Sequence, residues 1–433
     1  MKKTLLYATC FLSLSVYAYT LPSFPDNYRS AHFRLYYDNS NPKALDYLPT
    51  SNRVDKAPRN GTPDFIEAVA LKLEAALLRY TGAEFNLQSP FDSPRYQDKL
   101  AYMGVSVEAL ERQFGINGLA GDAVVYDQFR RTLLSIEIDH ALSSSSLTPE
   151  HELFHEVQNG YSMFTNSWYT EGSARWAERA FKDISSATTY QTPLPATPQA
   201  LSELMAKSYA AETFWNRISY VCDADSPENN PAQAEKVIYG TAFMRGFLEN
   251  LAFASSMATT DRCHAPFTWD SDEQSQNADN NRYILAALKQ SVLAQCPAGS
   301  KQSAEVSAFL RVVDAFIAQG LQIAYFDSSQ NQLCLPTVAV NGGQGSKSYY
   351  KAVLQVIPNS TPLRLQLTHV TLLPDFAASA TTASFQAGVL EVSQLAIADD
   401  ERYGLPTGQY RVNLLASSAP NQFELRSLTA LPE

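Results

Sequence analysis

The chain has 433 residues, 45% of them hydrophobic and 18% charged, enough for two or three packed domains and too apolar for a disordered chain. Its 33 Lys and Arg stand against 44 Asp and Glu, a net charge of −11, with no dense basic block. Phosphate and anionic lipid both need clustered cations, so the composition argues against nucleic acid as a partner and against docking on a membrane surface.

The amino terminus carries a positive Met1-Lys2-Lys3, an apolar stretch from Thr4 to Val16, and short residues in Val16-Tyr17-Ala18. This pattern predicts a secretory signal peptide cleaved after Ala18, and hence a periplasmic or extracellular protein. The apolar run is about 13 residues, whereas a membrane span takes roughly 20. Tyr7-Ala8-Thr9 before Cys10 is a poor lipoprotein acceptor. Removing the leader leaves 31 basic against 44 acidic residues, a balance of −13, and four cysteines: Cys222, Cys263, Cys296 and Cys334. An even number in an exported chain predicts two disulfides, with three possible connectivities. The sequence neighbours Cys222–Cys263 and Cys296–Cys334 are the first choice. Their spacing does not fit a cysteine-type zinc site, which needs close pairs.

In chain order, residues 19–60 read as extended or irregular. Thr62-Pro63-Asp64 starts a helix that runs to about Tyr80, with Thr as cap, Pro in the first turn and an acid at the positive end. Residues 99–105 and 123–126 are β-prone. Leu134-Ser135-Ile136-Glu137-Ile138-Asp139 alternates apolar and polar and predicts a half-buried or edge strand. After a serine-rich stretch, Ser143–Ser146, Thr148-Pro149-Glu150 marks a second helix start. Helical patterning follows in pieces: 149–160, 170–182, 198–217, 234–256, 281–294 and 302–324. From residue 335, short alternating runs at 349–357, 363–372 and 410–415 predict an all-β sandwich.

The helix starting at Pro149 carries His151-Glu152-Leu153-Phe154-His155. Histidines four apart project from one helical face, so both imidazoles can reach one metal ion, and neutral imidazole suits Zn²⁺. Glu152 lies a quarter-turn away, off the metal but near enough to take a proton from an activated water. A catalytic zinc takes three protein ligands and leaves a fourth position open. The candidates for the third are Glu171 and Glu178 in Trp168-Tyr169-Thr170-Glu171-Gly172-Ser173-Ala174-Arg175-Trp176-Ala177-Glu178, seven apart on one face of a second helix. Glu171 could instead be a carboxylate at the positive end of its helix. No third histidine follows closely, which argues against a three-histidine site.

H-E-L-x-H followed by W-x-x-E-G-x-A-x-W-x-E resembles the gluzincin zinc metallopeptidases. Two further fragments, Asn60-Gly61-Thr62-Pro63-Asp64-Phe65 and His151–Tyr161 as H-E-L-F-H-E-V-Q-N-G-Y, resemble a group of secreted bacterial metallopeptidases with an N-G-x-P-D-Y/F helix start. The likeness covers roughly residues 55–250. The 15 residues between His155 and Glu171 are slightly fewer than in the aminopeptidase branch. The resemblance implies a zincin-like α+β region over residues 19–330, with a mixed-sheet upper lobe and a helical lower lobe, and the sandwich over 331–433. It implies zinc on His151, His155 and Glu171, with Glu152 as general base passing a proton from water to the leaving amine. Gluzincins often supply a Tyr or His donor to the oxyanion, and Tyr239, before a helix start, is the candidate, with His264 a weaker rival. Glu178 could orient one zinc-bound imidazole. Trp168 and Trp176 would pack the glutamate helix on the histidine helix. By family analogy, the strand at 135–139 could pair with a bound peptide.

The G-x-M-E-N element that captures a free amino terminus in the aminopeptidases is missing, which tilts the expectation toward an endopeptidase. The substrate would be a peptide or protein. Asp55 and Asp64 are too few acids for a convincing calcium loop around Asn60-Gly61. No phosphate-cradling, dinucleotide-binding or nucleophile-elbow motif occurs. The competing class is a non-catalytic exported module binding peptide or glycan on the same scaffold. Retention of Glu152 favours the enzyme, because a structural site has no use for a base there.

Overall fold

The computed structural model describes residues 24–96, 99–121, 124–126, 129, 131–182, 187–232, 235–259, 280–301 and 303–319, and beyond these the backbone of nine strands between 323 and 431. The signal peptide expected over residues 1–18, Cys263 and His264 lie outside the described residues, as does the side chain of Cys334. The fold is α+β, with a mixed sheet and a set of helices. It divides into two compact units, 1–70 with 98–142, and 71–97 with 143–433.

The first unit is built on six strands: β1 (Asp26–Arg29), β2 (Phe33–Tyr37), β3 (Tyr102–Glu108), β4 (Gly118–Ala120), β5 (Val125–Tyr126) and β6 (Thr132–Asp139). β1 pairs antiparallel with β2, while β2, β3 and β6 run parallel. β4 and β5 both pair antiparallel with the outer side of β6. The strand expected at an edge is therefore interior. Among the described residues its two sides are taken by β3 and by β4 with β5, which leaves it no free edge for a peptide to add to. Of the polar residues that suggested a solvent face, Glu137 is half-buried and the other two are buried. Asp139 accepts from the amides of Glu111 (2.7 Å) and Ala141 (2.8 Å), and Ser135 is buried. The core strands carry Leu35, Met103, Val105, Leu134 and Ile136, all without solvent exposure.

The long helix α1 (Asp64–Thr81) starts where the Pro63-Asp64 signal puts it and contains the boundary between the units. After α2 (Leu110–Phe114) in the first unit, the second holds α3 (Thr148–Tyr161), α4 (Ser167–Ala177), α5 (Pro198–Met205), α6 (Glu212–Val221), α7 (Thr241–Thr259) and α8 (Asn280–Gln295). The stretch 198–217, read as one helix, is two. Its Ala-rich junction forms a 3-10 turn at Tyr209–Ala211 that redirects the chain into α6. The piece read as 234–256 starts only at Thr241, because Gly240 has φ +75°, a left-handed conformation that ends the preceding turn. A Cβ at Gly240 would lie 2.5 Å from the Ser219 carbonyl oxygen, so glycine also permits the close approach to α6.

Cys222 at the end of α6 bonds to Cys296 at the end of α8. This overturns the pairing of sequence neighbours: helices α6 to α8 fold back so that the ends of two elements 74 residues apart meet. The carboxy-terminal strands, β7 (Ile323–Asp327), β8 (Gln332–Cys334), β9 (Lys351–Ile357), β10 (Leu363–Thr371), β11 (Ala378–Ala380), β12 (Thr382–Gln386), β13 (Val389–Ile397), β14 (Gly408–Ala416) and β15 (Gln422–Leu431), pair antiparallel in one sheet. β13 also pairs with β14, so the path returns on itself. The two-layer packing expected of a sandwich rests on side chains outside the described residues. No helix among the described residues is long and apolar enough to cross a membrane.

Candidate metal centre

α3 begins after Ser146, whose hydroxyl accepts from the Thr148 amide (3.3 Å), and Pro149 sits where no N–H partner exists. Almost every residue of α3 is buried. Tyr80 donates to the Glu150 carbonyl (3.0 Å), and Phe154 meets Tyr80 and Trp176 edge-on. α4 lies against α3 through Trp176, as expected. Trp168 instead stacks on Trp215 of α6 at 5.7 Å, with the Trp215 indole donating to the Trp168 carbonyl (2.8 Å). Gly172 makes this seam possible: a Cβ there would come within 2.8 Å of Ala211 Cβ and of Trp215 Cδ1.

Three side chains predicted as ligands converge. Nε2 of His151 lies 3.0 Å from Nε2 of His155 and 3.0 Å from Oε2 of Glu171, and Nε2 of His155 lies 3.5 Å from that same oxygen. Donors held at about 2.05 Å from a tetrahedral ion are separated by about 3.3 Å, so the spacing and the two-imidazole, one-carboxylate chemistry fit Zn²⁺. Among the described residues this is the group of His, Cys, Asp and Glu whose donor atoms all meet within 4.8 Å.

The surroundings hold the group in place. Glu178 Oε1 is 2.8 Å from Nδ1 of His151, the contact expected of an orienting carboxylate. It sits at the head of a 3-10 turn (Glu178–Phe181) that follows α4, where a continuous helix was expected. Arg175 and Lys182 both pair with Glu178, at 3.0 and 3.1 Å. His155 turns its Nδ1 to Gln158 Oε1 at 2.6 Å. Burial would push the His151 imidazole down, but hydrogen bonds to Glu171 and Glu178 and the charge of Glu152 overcome it and hold its pKa up at about 9. Burial likewise works against the charged forms of Glu171 and Glu178, yet their histidine hydrogen bonds hold both below the ordinary carboxylate range. Glu152, buried and outside the donor group, is pushed up by burial against the opposing pull of the two histidines.

Tyr239 is not the tyrosine of this group. It is 2% exposed, its ring packs edge-on against Tyr190 and Tyr220, and its hydroxyl accepts from the Lys236 amide at 2.9 Å. The tyrosine at the metal group is Tyr209, in the 3-10 turn between α5 and α6. Its ring centroid is 5.7 Å from that of His151, its hydroxyl lies in the field of Glu171 and Glu152, and it is 57% exposed. Partial burial and the charges of Glu171 and Glu152 push its pKa up to about 12, so the phenol stays protonated and able to donate. No local pattern marked Tyr209; Gln158 stood within the quoted motif, three residues after His155. Asp55 and Asp64 are occupied by backbone amides: Asp55 by those of Asn60 and Gly61, Asp64 by those of Lys56 and Ala57.

Compared with protein-family models, curated proteins and solved structures, the chain matches none.

Proposed function

We propose that this chain is an exported zinc peptidase of gluzincin type, an endopeptidase with a zincin-like catalytic region over residues 19–330 and a carboxy-terminal β-sandwich. The observation that carries the reading is the convergence of His151, His155 and Glu171 beside a buried Glu152 that is no part of the donor set. A structural metal site has no use for that extra carboxylate. Zinc, when bound, supplies Lewis acidity, polarising a peptide carbonyl and making water a nucleophile at neutral pH. His151, His155 and Glu171 hold the ion, and Glu178 keeps the His151 ring turned toward it. Glu152 takes a proton from the attacking water and returns it to the departing amine. Tyr209, exposed and protonated, donates a hydrogen bond to the oxygen that gains charge in the transition state.

The test is zinc analysis combined with cleavage of unfolded protein and a broad peptide mixture. Wild type is expected to bind one zinc and cleave in a chelator-sensitive way. Glu152→Ala should keep the zinc and lose roughly 10²–10⁴ in kcat. Glu171→Ala should lose metal occupancy. Zinc in both wild type and Glu152→Ala, with cleavage by neither, would leave the non-catalytic binding module as the reading.

A further inference from the structure

The two histidines are held by different kinds of partner: His151 by the carboxylate of Glu178, His155 by the neutral amide of Gln158. Gln158 is 1% exposed and makes every contact it can within the α3–α4 seam. Its Nε2 donates to the Thr170 carbonyl (3.0 Å) and to Ser173 Oγ (2.7 Å). Ser173 spends its own proton on the Tyr169 carbonyl at 2.7 Å, so toward Gln158 it can only accept. Both amide protons are thus committed to acceptors on α4. Turning the amide over would set its oxygen against the Thr170 carbonyl, lone pair to lone pair. The oxygen that remains faces Nδ1 of His155 at 2.6 Å and can be satisfied only by an N–H there.

We propose that Gln158 is a positioning residue of the metal centre, acting on His155: held by Thr170 and Ser173, it fixes the His155 proton on Nδ1 and leaves the Nε2 lone pair facing His151 and Glu171. The helix that carries the glutamate ligand thereby sets the tautomer of a ligand on the other helix. This rests on the metal-centre reading, and it adds a residue that touches neither metal nor substrate.

The experiment is ¹⁵N NMR of the full chain with selectively labelled histidine, combined with zinc competition against a chromophoric chelator. In chelator-treated wild type, neutral His155 is expected to carry its proton on Nδ1, and in zinc-loaded protein the ligating nitrogen should be Nε2. Gln158→Leu should mix the two tautomers and weaken zinc 10–100-fold, a change that loosened packing alone would not produce in the ring-nitrogen shifts. Wild-type His155 protonated on Nε2 overturns the proposal with no variant needed. Unchanged tautomer and unchanged zinc affinity in Gln158→Leu overturn it as well, while the metal-centre reading stands. Failure of wild type to take up zinc removes that reading, and the tautomer measurement still decides the role of Gln158.

Discussion

Around Tyr209 the helical unit buries groups that carry charge; around Tyr239 it buries rings. At the first, three donor atoms lie 3.0 to 3.5 Å apart and are ringed by Glu152, Glu178 and Gln158. At the second, Tyr190 stacks on Tyr220 with centroids 4.7 Å apart, and Tyr239 sets its edge against both. Each tyrosine lies just before a helix, and from the chain alone only Tyr239 was a candidate donor. What separates them is where the hydroxyl ends. Tyr209 packs its ring on His151 with its hydroxyl in the field of Glu171, whereas Tyr239 is spent on the backbone of Lys236. Concentrated charge needs a cation or a reaction to make it worthwhile; stacked rings need only exclusion from water.

The contrast can be broken most directly by removing one hydroxyl at a time. Tyr209→Phe is expected to lower kcat about 10²–10³-fold with KM and zinc content little changed, as for loss of one oxyanion donor. Tyr239→Phe should leave kcat within about twofold and instead cost about 1 kcal/mol of stability, because the Lys236 amide loses its acceptor. Equal kinetic losses in the two variants would erase the distinction.

A second measurement sharpens it through pH. His151 titrates at about 9 in the fold against 6.5 for the free side chain. Its imidazolium therefore adds stability that is fully present below pH 6.5 and lost as pH rises through 9, of order 3 kcal/mol. The melting temperature of chelator-treated protein should fall across that window, and zinc affinity should rise across it as the proton ceases to compete. A flat melting profile from pH 6.5 to 9 would mean that the cluster is not held together by that charge. An effect no larger than that of the His151 charge is expected at the seam. Gly172→Ala forces a methyl against Ala211 and Trp215, costing about 1–3 kcal/mol by overpacking while the ring-only interior at Tyr239 is untouched.

How much of this was legible follows from how local each signal is. His151, His155 and Glu152 are fixed by helical spacing within five residues, and Glu171 and Glu178 by a seven-residue repeat on one helix face, so their convergence could be read in advance. Gln158 could have been found by the same rule, since i and i+3 share a helix face. Tyr209 could not. It depends on the break between α5 and α6, where an Ala-rich run with good helix propensity yields to a turn seated against Gly172. The place of β6 in the sheet was hidden for a related reason. Of the strands that cover its outer side, Val125–Tyr126 falls in a stretch read as β-prone but Gly118–Ala120 is too short to announce itself, and nothing local says that either pairs with β6, whose alternation looks like a water-facing strand.

The bond between Cys222 and Cys296 has a bearing on how the chain reaches its fold. It passes over Cys263, which lies between them in sequence. On the proposed export, a chain emerging amino-terminus first into an oxidising compartment would present Cys263 to Cys222 before Cys296 had left the translocon. Joining cysteines in order of appearance thus leads away from the native link. Thiol–disulfide exchange, after α8 has docked and brought Cys296 to the end of α6, would then be the route back to it. On that reading, assembly of the helices that seat Tyr209 and Glu171 would be tied to the reshuffling capacity of the compartment in which the chain matures.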